Sequence, residues 1–283
     1  MNHPFLLIIV KVTIFSLMLA MGIKFSLETM FSFWRKPALL FRALFAVVVL
    51  VPLVVVALLK LFNLPLEVAM GLVFLAASPG APLTTKRTKM AGAKSSQSAS
   101  LQLTLALLAV IITPLTLAIF TILFQSIPEK LTMLDVAKQV TIVQLLPVSL
   151  GLLLQKYGAN YAVKVEKSLT FIANFLFFIL VILACIIGFP LLFKLWGLPL
   201  VAITIMVIVS LGIGHVLGGP DEDHRSILAI SCIARNIGLA LFITILNGLE
   251  KQVIPTIVAY LMVGAVLGVL YSIYHKRKLA KLP

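Results

Sequence analysis

Residues 229–241 read AISCIARNIGLAL, inside a stretch that is almost purely apolar from Ile227 to Leu246. Arg235 stands in the middle of it. A charged side chain at the centre of a bilayer costs about 2.5–3.5 kcal/mol on insertion scales. A chain that keeps one there must offset that cost. Around it Ser231, Asn236 and Gly238 crowd into two helical turns. A second stretch is equally unusual. Residues 78–85 read SPGAPLTT, with two prolines and a glycine within four residues, which rules out a continuous helix.

Both stretches belong to a membrane protein. Of 283 residues 61% are hydrophobic and only 11% charged, and the mean hydropathy is +1.17. No soluble globular surface can be assembled from that composition. The apolar runs are long and continuous, which excludes a β-barrel and leaves an all-α integral membrane protein. The net charge of +14 falls in short gaps between those runs. That is the pattern of positive-inside loops, and no nucleic-acid partner is expected. Cys185 and Cys232 lie inside apolar runs and form neither a disulfide framework nor a metal-ligand cluster.

Taking about 20 residues per crossing, the chain divides into nine transmembrane helices within one domain, 1–283. They run roughly 4–24, 38–60, 65–91, 95–124, 138–156, 166–189, 198–217, 225–249 and 253–274. Pro37, Pro65, Pro128, Gly158, Gly197 and Gly218–Pro220 mark turns between them. Residues 4–24 lack a basic leading segment and read as the first span, not a signal peptide. With the N-terminus outside, the inner segments hold fourteen Lys and Arg against five outside. The C-terminal tail is therefore expected in the cytoplasm. A compact chain of this kind suits a bacterial inner membrane.

The two interrupted spans, third and eighth, are five apart. Five is odd, so equivalent spans cross in opposite directions. Spans 1–4 and 6–9 then form an inverted repeat, with span 5 as connector. Interrupted segments at matched positions of two halves point to a transporter's site. No nucleotide-binding loop is present, so a primary pump is not indicated. No enzyme is expected either: Ser231 and Arg235 cannot pair as nucleophile and base, because arginine stays protonated.

At SPGAPLTT and ARNIGLA the chain resembles the bile acid:sodium symporter family, whose two crossing helices carry motifs like SPGG-x-x-SN and ECG-x-QN-x-GLA. LMLAMGIKFSLE, LPLEVAMGLVFLAASPG and TPLT extend the likeness over nearly the whole chain. The resemblance implies two crossing broken helices and two groups of spans. Spans 1, 5 and 6 would form a panel, and spans 2–4 and 7–9 a core. It implies transport of organic anions by alternating access, coupled to sodium, across the lipid bilayer. It implies no other cofactor.

The departures bear on the ion. The family's Ser-Asn pair falls on Thr84 and Thr85, and two ligand positions of the next helix on Ser98 and Gln102. The shared glutamate falls on Ser231, its glutamine on Arg235 and its asparagine on Asn236. A further glutamine falls on Val47, five residues before Pro52. A guanidinium thus stands where a cation would sit, and repulsion at about 4 Å amounts to several kcal/mol at intermediate dielectric. Sodium is therefore doubted as the coupling ion. Arg235 either replaces it, holding the crossover or the substrate anion through its fork, or ties only to carbonyls of the other break. Sodium coupling at relocated sites and a non-transporting receptor on the same fold are the other readings.

Lys86 follows the first break and either faces a vestibule or sits in an ordinary inner loop. Lys24 reads as an interfacial anchor. Gln144 and Asn174 are candidate panel contacts to substrate or interhelical hydrogen-bonding groups. Ser95, Ser98 and Gln102 share one inward side of the fourth span. His215 and His224 flank the GGPDED turn and read as solvated loop residues. Substrate identity and oligomeric state are not readable from the sequence.

Overall fold

The computed structural model describes residues 4–93, 95–124, 132–189, 193 and 195–279. Lys94, Lys130, Lys194 and Lys281 of the charge pattern, and the turn at Pro128, lie outside these. Among the described residues all regular structure is helical. Eight segments are long and apolar enough to cross a membrane. In chain order, α1 is Pro4–Lys24 and α2 is Leu27–Trp34. α3 (Pro37–Leu44), a π segment (Phe45–Leu50) and α4 (Val51–Leu61) run on as one span. α5 (Leu66–Ala76) and α6 (Thr84–Met90) flank the first break, and α7 is Ser95–Leu123. α8 (Met133–Val140), a second π segment (Thr141–Leu145) and α9 (Leu146–Tyr157) form the next span, followed by α10 (Ala159–Gly188) and α11 (Leu198–Leu217). α12 (Glu222–Ile233) and α13 (Ile237–Leu246) flank the second break, and α14 is Glu250–Leu279.

Several helices outrun the apolar stretches that announce them. α8 starts at Met133, not near 138, α10 at Ala159, not near 166, and α14 covers Glu250–Leu279, not 253–274. The extra turns carry Lys164, Lys251 and Lys276, whose long stems let a helix continue through the interface with the charge in water. A capping box starts α8: Thr132 Oγ1 accepts from the Asp135 amide at 3.2 Å, and Asp135 accepts from the Thr132 amide at 3.3 Å.

α2 occupies what the sequence suggests is a plain connection between the first two spans. Ser26 caps it, accepting from the Thr29 amide at 3.2 Å. Its far end is held by α7, through the Phe33 amide on Ser100 Oγ (3.0 Å) and Trp34 Nε1 on Thr104 Oγ1 (2.9 Å). The polar start of α7 is thus buried on two sides: Ser100 and Thr104 face α2, while Ser98 and Gln102 face α6.

Small residues set the closest helix contacts. Gly22 on α1 and Gly151 on α9 lie against each other's backbone; a Cβ on Gly151 would come 2.5 Å from the Leu19 carbonyl oxygen. Gly214 on α11 lies in the same way on the backbone of α12 at Leu228 and Ala229. Such approach maximises dispersion contact where no hydrophobic force separates helix from lipid. The 18-residue apolar core of the span Glu222–Leu246, which contains the second break, is wholly buried, whereas only 17% of that of α10 is, and α10 exposes Phe171, Phe175 and Phe178. The interrupted backbone is therefore wrapped in protein, as unpaired polar groups demand.

At one end of the bundle Glu222 joins α12 to α14. Its carboxylate accepts from Lys278 Nζ at 2.7 Å and Arg225 Nη1 at 2.8 Å, with His275 Nε2 at 3.1 Å. Buried His275 also donates from Nδ1 to the Ala91 carbonyl at 3.1 Å, reaching the end of α6.

Gly151→Val should force α9 away from α1. Overpacking of this kind costs about 1–3 kcal/mol, read as a lowered thermal midpoint of the purified protein. Gly212→Ala, where a Cβ meets nothing within 4 Å, should leave that midpoint unchanged.

Candidate functional site

The two breaks meet. The Asn236 amide donates to the Ser78 carbonyl at 2.9 Å, joining the second interruption to the first. Each half-helix leaves polar ends there. On the first side Ser78 Oγ donates back to the Phe74 carbonyl at 2.7 Å. Gly80 sits at φ 79°, and a Cβ there would stand 3.0 Å from the Ala106 amide nitrogen, so the turn needs glycine for both conformation and space. On the second side Tyr260 Oη donates to the Ile233 carbonyl at 2.9 Å, closing the end of α12. Asn236 opens α13, its Oδ1 accepting from the Leu239 amide at 3.1 Å. Its Nδ2 donates to Gln144 Oε1 at 3.0 Å, and Gln144 Nε2 donates to the Ala106 carbonyl at 2.8 Å. Gln144 is thus an interhelical link at the crossing.

Arg235 is 2% exposed. Its Nη2 donates to the Val47 carbonyl at 3.0 Å, and its Nη1 reaches the Ala76 carbonyl at 3.5 Å. Both acceptors are free for a local reason. In the π segment Val51 donates five residues back, to Ala46. The next donor in that register would be residue 52, on Val47. Residue 52 is proline and has no N–H. The Val47 carbonyl is left without an intrahelical partner, and the guanidinium takes it. Ala76 is the last residue of α5, whose C-terminal carbonyls carry partial negative charge. Of the two ties to carbonyls, one goes to the other break and one to the neighbouring span. Arg235 Nε and Ser231 Oγ, both buried, have no hydrogen-bond partner among the described residues.

The remaining expected residues fall into a polar seam between α6 and α7. Thr85 donates its backbone N–H (3.2 Å) and its hydroxyl to Gln102 Oε1. Gln102 Nε2 donates to the Pro82 carbonyl at 2.6 Å, and Thr88 Oγ1 donates to Ser98 Oγ at 2.7 Å. Thr84 is buried and bonds locally, to the Ala81 carbonyl at 2.7 Å. Val47 contributes its carbonyl, not its side chain. Among the described residues no group of His, Cys, Asp and Glu could hold a metal ion.

Two cavities adjoin the crossing and share Pro82 and Leu83 in their walls. The larger, about 560 Å³, lies between α1 and α10 on one side and α6 and α7 on the other. That is within the range of small-molecule sites, roughly 300–1,000 Å³. Lys24, Lys86 and Lys89 line it with Thr85 and Asn174, and no acidic residue does. Lys86 Nζ donates to Asn174 Oδ1 at 3.3 Å across it. The smaller cavity, about 50 Å³, is lined by Arg235, Asn236, Arg87 and Tyr260.

Thr84, Thr85, Arg235 and Asn236, expected at a crossing from the sequence, all lie at or beside the place where the two breaks meet. It misses Tyr260, Arg87 and the carbonyl of Val47. The one local signal for Val47 is Pro52 five residues on. His215 and His224 are less solvated than expected: His215 Nδ1 lies 2.8 Å from Tyr271 Oη, and His224 Nε2 lies 3.2 Å from Lys36 Nζ.

Arg235→Gln should destabilise the protein, because an orphaned buried acceptor costs about 1–3 kcal/mol. Pro52→Ala restores an N–H in register with the Val47 carbonyl. In the Arg235→Gln background it should therefore recover part of the loss, whereas alone it should not stabilise. Thermal midpoints of the four proteins form a cycle whose coupling should exceed about 0.5 kcal/mol. Additive effects would remove Val47 as the shared acceptor.

The family model described as the sodium bile acid symporter family matches residues 11–195. Comparison with curated proteins gives no match. The matched region contains the first break, α6, the polar start of α7 and the larger cavity's walls, and ends before the second break. With well over half of the chain matched, and with apolar helices packed around an interrupted crossing, the protein belongs to the sodium bile acid symporter family of membrane transporters.

Proposed function

We propose that the protein is a nine-span secondary transporter of a small organic anion, working by alternating access, in which Arg235 serves as a fixed charge in place of a travelling sodium ion. In this reading α5 and α6 together make the third crossing, so that spans 1–4 and 6–9 are inverted halves. α1, α8–α9 and α10 form the panel, and the other spans the core. The observation that carries the reading is the seat of Arg235: its guanidinium is held between carbonyls of two elements at the meeting of the breaks. A guanidinium there supplies the positive charge that a bound cation would bring, and it repels a second one.

The larger cavity supports the anion. Lysine-lined walls without a carboxylate raise the local concentration of acids by electrostatic attraction. The charge bias assigns its lysines to the cytoplasmic side, which makes this an inward-open arrangement. The cavity's size also favours a carrier over a receptor that merely shares the fold. One observation speaks for sodium at a relocated site: hydroxyl, amide and carbonyl oxygens of Thr85, Ser98, Gln102 and Pro82 converge between α6 and α7. That seam has no carboxylate, and its oxygens already accept hydrogen bonds from within the protein.

The test is uptake of a panel of labelled organic acids into vesicles containing the purified protein, with sodium replaced by choline. Uptake should persist within about twofold, and Lys86→Gln should raise KM several-fold with less effect on the maximal rate. Uptake that collapses without sodium would overturn the fixed-charge reading and favour the relocated site.

A further inference from the structure

The small cavity at the crossing holds two guanidinium groups and no counter-charge. Arg235 lines it with a buried Nε that has no partner. Arg87 of α6 lines it from the opposite break, and its guanidinium makes no hydrogen bond or ion pair with any described residue. Arg87 also lines a further cavity of about 130 Å³ toward α14, walled by Ile230, Gly264, Gly268 and Ser272. Neither cavity has an aspartate or glutamate in its wall. The hydroxyl of Tyr260 lies near both guanidiniums; its proton goes to the Ile233 carbonyl, and its oxygen remains an acceptor toward Arg235.

Both cations line one cavity, and an anion placed there interacts favourably with each. The start of α13 opens onto the same space and also favours negative charge. At about 50 Å³ the cavity has room for a few waters and lies far below the roughly 300–1,000 Å³ of small-molecule sites. A halide ion is of that size, and a whole organic acid is not. The geometry points to a resident inorganic anion, chloride or its like, bound between Arg87 and Arg235 and separate from the lysine-lined cavity.

A bound halide would do structural work that no side chain does. It would fasten α6 to the second break, since Arg87 rides on α6 and Arg235 on the segment between α12 and α13. The assignment rests on the two arginines and not on which acid is carried or whether sodium is needed.

The purified protein is placed in lipid nanodiscs in choline salts, and gluconate is exchanged for chloride at constant ionic strength. The thermal midpoint should rise saturably with chloride, and with bromide. Arg87→Gln should need at least about tenfold more chloride for the same rise, the loss of one charge-assisted hydrogen bond, while Arg87→Lys should retain part of it. A crystal grown in bromide should show an anomalous peak between α6 and the start of α13, which tests the wild-type protein should the variants fail to fold. A midpoint indifferent to chloride, an Arg87→Gln protein that responds like wild type, a crystal without the peak, or acetate acting more strongly than chloride would each overturn the assignment.

Discussion

The carbonyl of Val47 has no donor in its own helix, and the guanidinium of Arg235, 188 residues away in sequence, supplies one. That interaction reflects the constraint on the whole molecule: backbone polar groups released at membrane depth must be paired within the protein. Two helix breaks release many such groups at once. Ser78 and Asn236 pair across the breaks, Tyr260 closes α12, and Gln144 bridges Asn236 to α7. Bonds from a charged donor contribute about 1.5–3 kcal/mol each. Two of them are comparable to the cost of inserting an arginine. What tips the balance is that Val47 and Ala76 would otherwise remain unsatisfied.

The positive charges around the crossing are of two kinds, and the choice of residue fits their place. Lys24, Lys86 and Lys89 line the wide cavity and are exposed. An ammonium is a hydrated point charge on a flexible stem, suited to attracting an acid without holding one geometry. Arginines occupy the narrow space, where a planar fork can serve several fixed acceptors and less hydration is lost. Flexible point charges thus line the wide cavity, and the planar fork of Arg235 is seated where the two broken helices meet.

Periodicity and composition were enough to read the apolar runs and both breaks. SPGAPLTT cannot be part of one continuous helix, and the structure ends α5 at Ala76 and starts α6 at Thr84 accordingly. Other features were not legible, because they depend on contacts between distant residues or on backbone atoms. α2 shows no strong apolar run and is held by Ser100 and Thr104, about 70 residues on. The DED run, Asp221–Asp223, looks like mere dilution of positive charge, yet Glu222 gathers Arg225 of α12 and Lys278 and the His275 ring of α14. From its side chain alone Val47 reads as a position that has lost a polar ligand. Its carbonyl, freed by Pro52, is the group that matters, and a side-chain comparison cannot see it.

How the helices touch bears on what can move. Inside the two proposed groups Gly71 and Gly268 meet side chains, of Thr256 and Ile233, but the closest approaches are to backbone: Gly22 and Gly151 between α1 and α9, Gly214 between α11 and α12. Such contacts have no slack. Across the boundary between the groups the nearest neighbours are ends of side chains. Gly238 of α13 meets Ile14 Cγ1 of α1, and Gly188 of α10 meets Val258 Cγ2 of α14. The polar links across it are also single side-chain bonds, Asn236 to Gln144, Gln144 to the Ala106 carbonyl and Lys86 to Asn174. Rotamer changes can exchange bonds of that kind, whereas backbone seated against backbone must separate before it can slide. The packing therefore favours motion of α1, α8–α9 and α10 as one body past the crossing, with the pairing around Arg235 intact on the other side of the boundary.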